Sequence, residues 1–156
     1  MANDQAGADG ITRIVEVGAK AETQREAAAE AWLISTPQAV ANLIAGTKKG
    51  DPIEAAKIAG VMGVKRTPDL LPFCHPLRIT GVELTVEPQE AAGRIRITSA
   101  VRATDRTGVE MEAMTSVAVA ALSLYDTAKA FDRAARIEGV RLLRKSGGKS
   151  GEYRVE

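Results

Sequence analysis

Two runs of alternating apolar and polar residues, joined by a short turn-forming stretch, restrict the fold of this 156-residue chain more than anything else in it. Val82, Leu84 and Val86 alternate with Glu83, Thr85 and Glu87, and Ile95, Ile97, Ser99 and Val101 alternate with Arg96, Thr98 and Ala100. A period of two sends successive side chains to opposite faces of a pleated strand, so both runs read as half-buried strands. Pro88 to Gly93 between them closes an antiparallel hairpin. Such a hairpin needs more strands and a covering layer to bury its apolar face.

The rest of the chain offers both. Ile11 to Val17 reads as a short strand. Lys20 to Ile34 has the Ala and Glu content of a helix, yet Ala27, Ala29, Ala31 and Leu33 alternate with Glu26, Ala28, Glu30 and Trp32, and we read it as a strand. Thr36-Pro37 is an N-cap followed by a proline at the first helical position, opening a helix to about Ala45 that Gly46 stops. Asp51-Pro52-Ile53-Glu54 repeats that signal for a second helix to Lys65, with Ile53, Ala56, Gly60 and Val64 on one face. Pro68, Pro72 and Pro76 make Thr67 to Leu77 an ordered loop. Thr107 to Glu110 is a capping-box pattern before a long helix to about Ala134, whose apolar face carries Met114, Val117, Ala121, Tyr125 and Ala128. Val140 to Leu143 is the last strand. This order predicts an α+β, ferredoxin-like β-α-β-β-α-β sandwich with an additional N-terminal strand. A flexible tail over residues 1–10 and a single domain over residues 11–156 complete the expectation.

Charge and composition narrow the partners. With 21 basic against 20 acidic side chains the net charge is +1, too small for a strong field toward nucleic acid. The five aromatics (Trp32, Phe73, Tyr125, Phe131 and Tyr153) are scattered, so no base-stacking array forms, and the hairpin strands lack the aromatics that an RNA-recognition sheet would carry. The longest apolar run, Val117 to Leu122, is far too short for a bilayer. Cys74 is the only cysteine and Met1 to Gly10 lacks the regions of an export signal; both point to a reducing cytoplasm.

Four groups of residues carry chemistry. The only cysteine and only histidine adjoin in Phe73-Cys74-His75. Neighbouring side chains rarely face each other as nucleophile and base, and a zinc site needs further ligands. Two readings stand: a packed thiol beside a turn-capping imidazole, or an imidazole that meets a ligand phosphate. Lys145 to Gly151 interleaves glycines and lysines, as a phosphate cradle or a flexible basic tail would. It is no P-loop, because Leu143 stands where the first glycine is required and no helix follows. Asp126 and Lys129, three apart on a helix, share a face, as an acid/base pair or a solvated ion pair. Glu112 lies near the same face but about 21 Å away along the axis, so both carboxylates serve one site only through a second subunit or a long, folded substrate. Glu110 fits a first-turn dipole complement, and Lys49 lies where it could reach an anion at the second helix's N-terminus.

Taken in order, Lys20-Ala21-Glu22-Thr23, Lys49-Gly50-Asp51, the Lys65 to Leu77 stretch, Gly108 to Ala113, Tyr125-Asp126 with Lys129, and Lys145 to Gly151 resemble the molybdenum cofactor biosynthesis protein C family, the cyclic pyranopterin monophosphate synthases. The likeness runs from Ile14 to Glu156. It implies a phosphorus-oxygen lyase that converts 3',8-cyclo-7,8-dihydro-GTP to cyclic pyranopterin monophosphate and expels pyrophosphate, with no cofactor required and no metal-binding residues assigned. It also implies a ferredoxin-like homohexamer, a trimer of dimers with sites at the dimer interface. By position, Asp126, Lys129 and Lys49 match the family's catalytic residues. Phe73, Cys74 and His75, then Met111 and Glu112 with Glu110 nearby, match its substrate-binding stretches. We place Asp126 and Lys129 near the purine-derived chemistry, and Lys49, His75, Lys145 and Lys149 near the phosphates. A nucleotide-sensing module without turnover and a metal-dependent phosphotransferase are the remaining alternatives, the latter short of a carboxylate pair within reach in one chain.

Overall fold

The alternation over Lys20 to Ile34 resolves as strand β1 (Thr23–Ile34), and it occupies the middle of the sheet. Ala27, Ala29, Ala31 and Leu33 are wholly buried on one face, where small side chains let a helix lie close to the sheet. The structure, a computed structural model, describes residues 10–149 and 151–155. After β1 come α1 (Pro37–Ala45) and α2 (Pro52–Leu70), then β2 (Ile79–Gln89), a 3-10 turn at Glu90–Ala92 and β3 (Arg94–Asp105). α3 (Glu110–Ala128), β4 (Arg136–Ser146) and the short β5 (Tyr153–Arg154) follow. The strands pair antiparallel in the order β2-β3-β1-β4-β5. Among the described residues, this five-stranded sheet with three helices is an α+β architecture compatible with a ferredoxin-like fold.

Local chemistry sets the helix starts as expected. The Thr36 hydroxyl accepts the Ala39 amide at 3.2 Å, and the Asp51 carboxylate accepts those of Ile53 and Glu54 at 2.8 and 3.2 Å. α3 packs on β1, β3, β4 and α2. α2 approaches α3 so closely that a Cβ on Gly60 would lie 3.0 Å from the Ser116 carbonyl oxygen and 3.2 Å from the Ala120 Cβ. The opposite sheet face is polar. There the Glu30 carboxylate, 3% exposed, accepts hydrogen bonds from Arg96 at 2.8 and 3.0 Å and from Arg141 at 2.8 Å. Burial would raise this carboxyl, but the hydrogen bonds from Arg141 and Arg96 outweigh it and hold it below the ordinary carboxylate range.

Four expectations are corrected. Residues 11–17 carry a bridging residue, Thr12, but no strand, so the additional strand is not N-terminal; the fifth strand is β5, at the other end of the chain. α2 does not stop at Lys65 but runs through Pro68 to Leu70. The lost amide comes only in the last turns, where the buried Thr67 hydroxyl donates to the Gly63 carbonyl at 3.0 Å and the Leu71 amide still reaches Thr67 at 3.0 Å. No capping box forms at Thr107, since Val109 is the N-cap and makes no side-chain cap bond. α3 ends at Ala128, short of Ala134, because Asp132 is captured elsewhere: it accepts the Ser35 hydroxyl at 2.8 Å and the Ala134 amide at 2.9 Å. The expected flexible tail, apart from Gly10, lies outside the described residues.

Candidate active site

One cluster forms where the loop before α2 meets the C-terminal end of α3. Thr47 and Gly50 exchange backbone hydrogen bonds at 2.9 Å in both directions, and the Lys49 amide donates to the Thr47 hydroxyl at 3.1 Å. Gly50, at φ 115, is the residue type that such a tight turn accepts. The turn leaves Lys48 and Lys49 exposed on one wall of an open pocket of about 330 Å³, with Asp126, Thr127 and Phe131 on the other. Lys129 Nζ lies 2.7 Å from Asp126 Oδ1. The Lys129 hydrogen bond and charge, with a smaller pull from Lys49, hold the Asp126 carboxyl below its ordinary value, and Asp126 in turn raises Lys129. Both partners are more than half exposed, so the pair is a feature of the pocket more than a brace for the fold.

A second cluster forms at the N-terminal end of α3. Glu112, only 3% exposed, faces inward from the helix's first turn. Burial pushes its carboxyl up to about 7, with a further rise from the Glu110 charge and an opposing hydrogen bond from its own amide. Burial also raises the Cys74 thiol, and the Glu112 charge adds to the effect, which places the Phe73 to His75 loop beside this helix end. A raised thiol pKa disfavours the thiolate, so Cys74 fits the packed-thiol reading. Lys145, at the end of β4, donates to Glu110 Oε1 at 2.8 Å. Among the described residues no group of three or more His, Cys, Asp and Glu side chains is arranged to hold a metal ion.

The structure thus brings the expected residues into two groups. Lys49, Asp126 and Lys129 form one; Cys74, Glu110, Glu112 and Lys145 form the other, with Phe73, His75 and the exposed Met111 beside them in the chain. Lys49 therefore stands with the Asp126 pair and apart from Lys145. Lys149 is exposed in the turn beyond β4. Fourteen residues of α3 separate Glu112 from Asp126, about 21 Å of helix, so the groups do not share a reacting centre within one chain. Lys48 and Phe131 went unforeseen as pocket residues. Lys48 could have been found by its place beside Lys49; Phe131 is brought in only by the end of α3.

Residues 14–148 match the MoaC family. A protein named cyclic pyranopterin monophosphate synthase from Deinococcus radiodurans is 51% identical over 147 residues, covering 94% of this chain and 86% of its own. Proteins of the same name from a Methylobacterium species and from Roseiflexus castenholzii are each 49% identical, over 150 and 148 residues; these cover 96% and 94% of this chain and 94% of each relative. A small α+β enzyme is what this fold and these relatives define. The chain belongs to the MoaC family. No helix among the described residues is long and apolar enough to cross a membrane.

Proposed function

We propose that this chain converts 3',8-cyclo-7,8-dihydro-GTP to cyclic pyranopterin monophosphate with release of pyrophosphate, an early step in making the molybdenum cofactor. The observation that carries the reading is the Asp126 and Lys129 pair at 2.7 Å on the wall of a lysine-bearing pocket, in a chain half identical to synthases of that name. Rearranging the purine and ribose into a pyranopterin requires several proton transfers, and a carboxylate bonded to an ammonium supplies an acceptor and a donor side by side. Glu112, with its carboxyl near 7, is present in both protonation states at neutral pH and so can give or take a proton.

Closing the cyclic phosphate takes a sugar hydroxyl to the α-phosphorus. The bond to the bridging oxygen breaks, the hydroxyl proton passes to a base, and pyrophosphate leaves with the released charge. Lys49 and Lys48, with Lys145 and His75 from the second cluster and Lys149 from the turn beyond β4, are the groups suited to hold that charge. The whole conversion moves protons and displaces pyrophosphate without net oxidation, so it requires no redox cofactor, and we propose none and no metal.

Since the two clusters lie at opposite ends of α3, we propose a site completed by a second copy, in a homohexamer built as a trimer of dimers and working in the cytoplasm. The protein is neither a nucleic-acid nor a membrane binder on this reading. The test incubates 3',8-cyclo-7,8-dihydro-GTP with the wild type, Asp126→Asn and Lys129→Ala, following pyrophosphate and, after oxidation, pterin fluorescence. Turnover by the wild type, with loss in both variants, is expected. Binding without turnover by a folded wild-type oligomer would leave a nucleotide sensor as the better reading.

A further inference from the structure

Arg25, half-buried on β1, directs its guanidinium at three backbone carbonyls. Nε donates to the Asp105 carbonyl at 3.3 Å, Nη2 to the Arg106 carbonyl at 3.2 Å and Nη1 to the Gly147 carbonyl at 3.1 Å. Asp105 and Arg106 form the junction between β3 and α3, while Gly147 lies just beyond β4. One cation thus joins two segments distant in sequence, and both lead into the second cluster: the junction leads to Glu110, and Lys145 precedes the glycines.

The glycine pair is shaped around this contact. Gly147 and Gly148 take φ of 100 and 73, which L side chains rarely adopt. A Cβ on Gly148 would lie 1.7 Å from Arg25 Nη1, and one on Gly147 would lie 2.1 Å from the Gln24 carbonyl oxygen. Besides any role toward phosphate, the two glycines let the chain fold over a guanidinium.

We propose that Arg25 is a positioning residue, which fastens the Lys145 to Gly148 segment to the β3–α3 junction and so holds Lys145 at Glu110. Its consequence for turnover rests on the function proposed above; the fastening itself does not. Lysine at this position keeps the charge but cannot present the planar fork that reaches three carbonyls at once.

The test compares the wild type with Arg25→Lys and, as a second variant that removes the charge and shortens the reach, Arg25→Gln. Amide exchange over residues 145–148 is read alongside KM and kcat for 3',8-cyclo-7,8-dihydro-GTP. Both variants should speed that exchange by about ten- to a hundredfold, leave α2 and β3 protected, and raise KM about tenfold with kcat within about threefold. Exchange at the wild-type rate in both variants overturns the fastening. Faster exchange with unchanged KM overturns the positioning role. A wild type that fails to turn over the substrate tells against the proposed function, while the exchange readout still decides whether Arg25 fastens the segment.

Discussion

Replacing Glu112 by glutamine should change the stability of the protein in a way that depends on pH. The Glu112 carboxyl rises from an ordinary 4.5 to about 7 because it is buried. At about 1.4 kcal/mol for each unit of pH, this corresponds to roughly 3 kcal/mol. A carboxyl with a raised value in the folded state holds its proton more tightly there than when unfolded. Its contribution is therefore fully present below pH 4.5, falls progressively between 4.5 and about 7, and is constant at its lowest above that. Glutamine cannot titrate, so it escapes the loss. Urea unfolding of wild type and Glu112→Gln from pH 4 to 8.5 isolates the effect, since other titrating groups cancel in the difference. The variant should gain roughly 3 kcal/mol relative to the wild type between the acid and alkaline ends, about 1 to 2 M in urea midpoint. Any cost of seating the amide adds a constant at every pH. A difference that stays flat with pH refutes the argument that burial controls this group.

Three further outcomes follow from the geometry. Asp126→Asn should cut turnover by about 10²- to 10⁴-fold yet move the melting temperature by no more than about two degrees, because its ion pair is exposed. Gly60→Val should cost about 1–3 kcal/mol in chemical denaturation, since its side chain would press on the Ser116 carbonyl and the Ala120 Cβ, which cannot swing aside as the Leu84 side chain can. If the sites are shared in a hexamer, sedimentation should give a species near six times 16.5 kDa, and a clean monomer would count against sharing.

Short-range patterns made much of the fold legible. The period-two runs, the Thr36 and Asp51 caps and the stop at Gly46 each depend on residues a few positions apart, and each reappears in the structure. β1 was harder, because its alanines suit a helix; pairing on both sides overrides that propensity. The misreadings depend on distant partners. Pro68 looked like a breaker, but the helix was nearly over, and the Leu71 amide still closes its last turn on the Thr67 carbonyl. The end of α3 hangs on Asp132 meeting Ser35, 97 residues earlier.

The candidate site divides in the same way. The spacing of Asp126 and Lys129 announced their contact, which is local to one helix. That Lys49 joins them depends on how α2 docks against α3, and the burial of Glu112 depends on its surroundings in the folded chain. Arg25 gave no sign of its part, since its acceptors are carbonyls 80 or more residues away and carbonyls leave no mark in a sequence.

The central claim is that the Asp126 and Glu112 clusters are two halves of one site, completed between two copies of the chain. It is tested most directly by co-expressing Asp126→Asn and Glu112→Gln chains under different tags and assaying oligomers that carry both tags. Each variant alone should be nearly inactive, while mixed oligomers should recover up to about a quarter of wild-type turnover, because half of the sites in a mixed dimer pair two intact halves and half of random dimers are mixed. Mixed oligomers as inactive as either parent, beside an active wild type, would show that each chain carries its site alone.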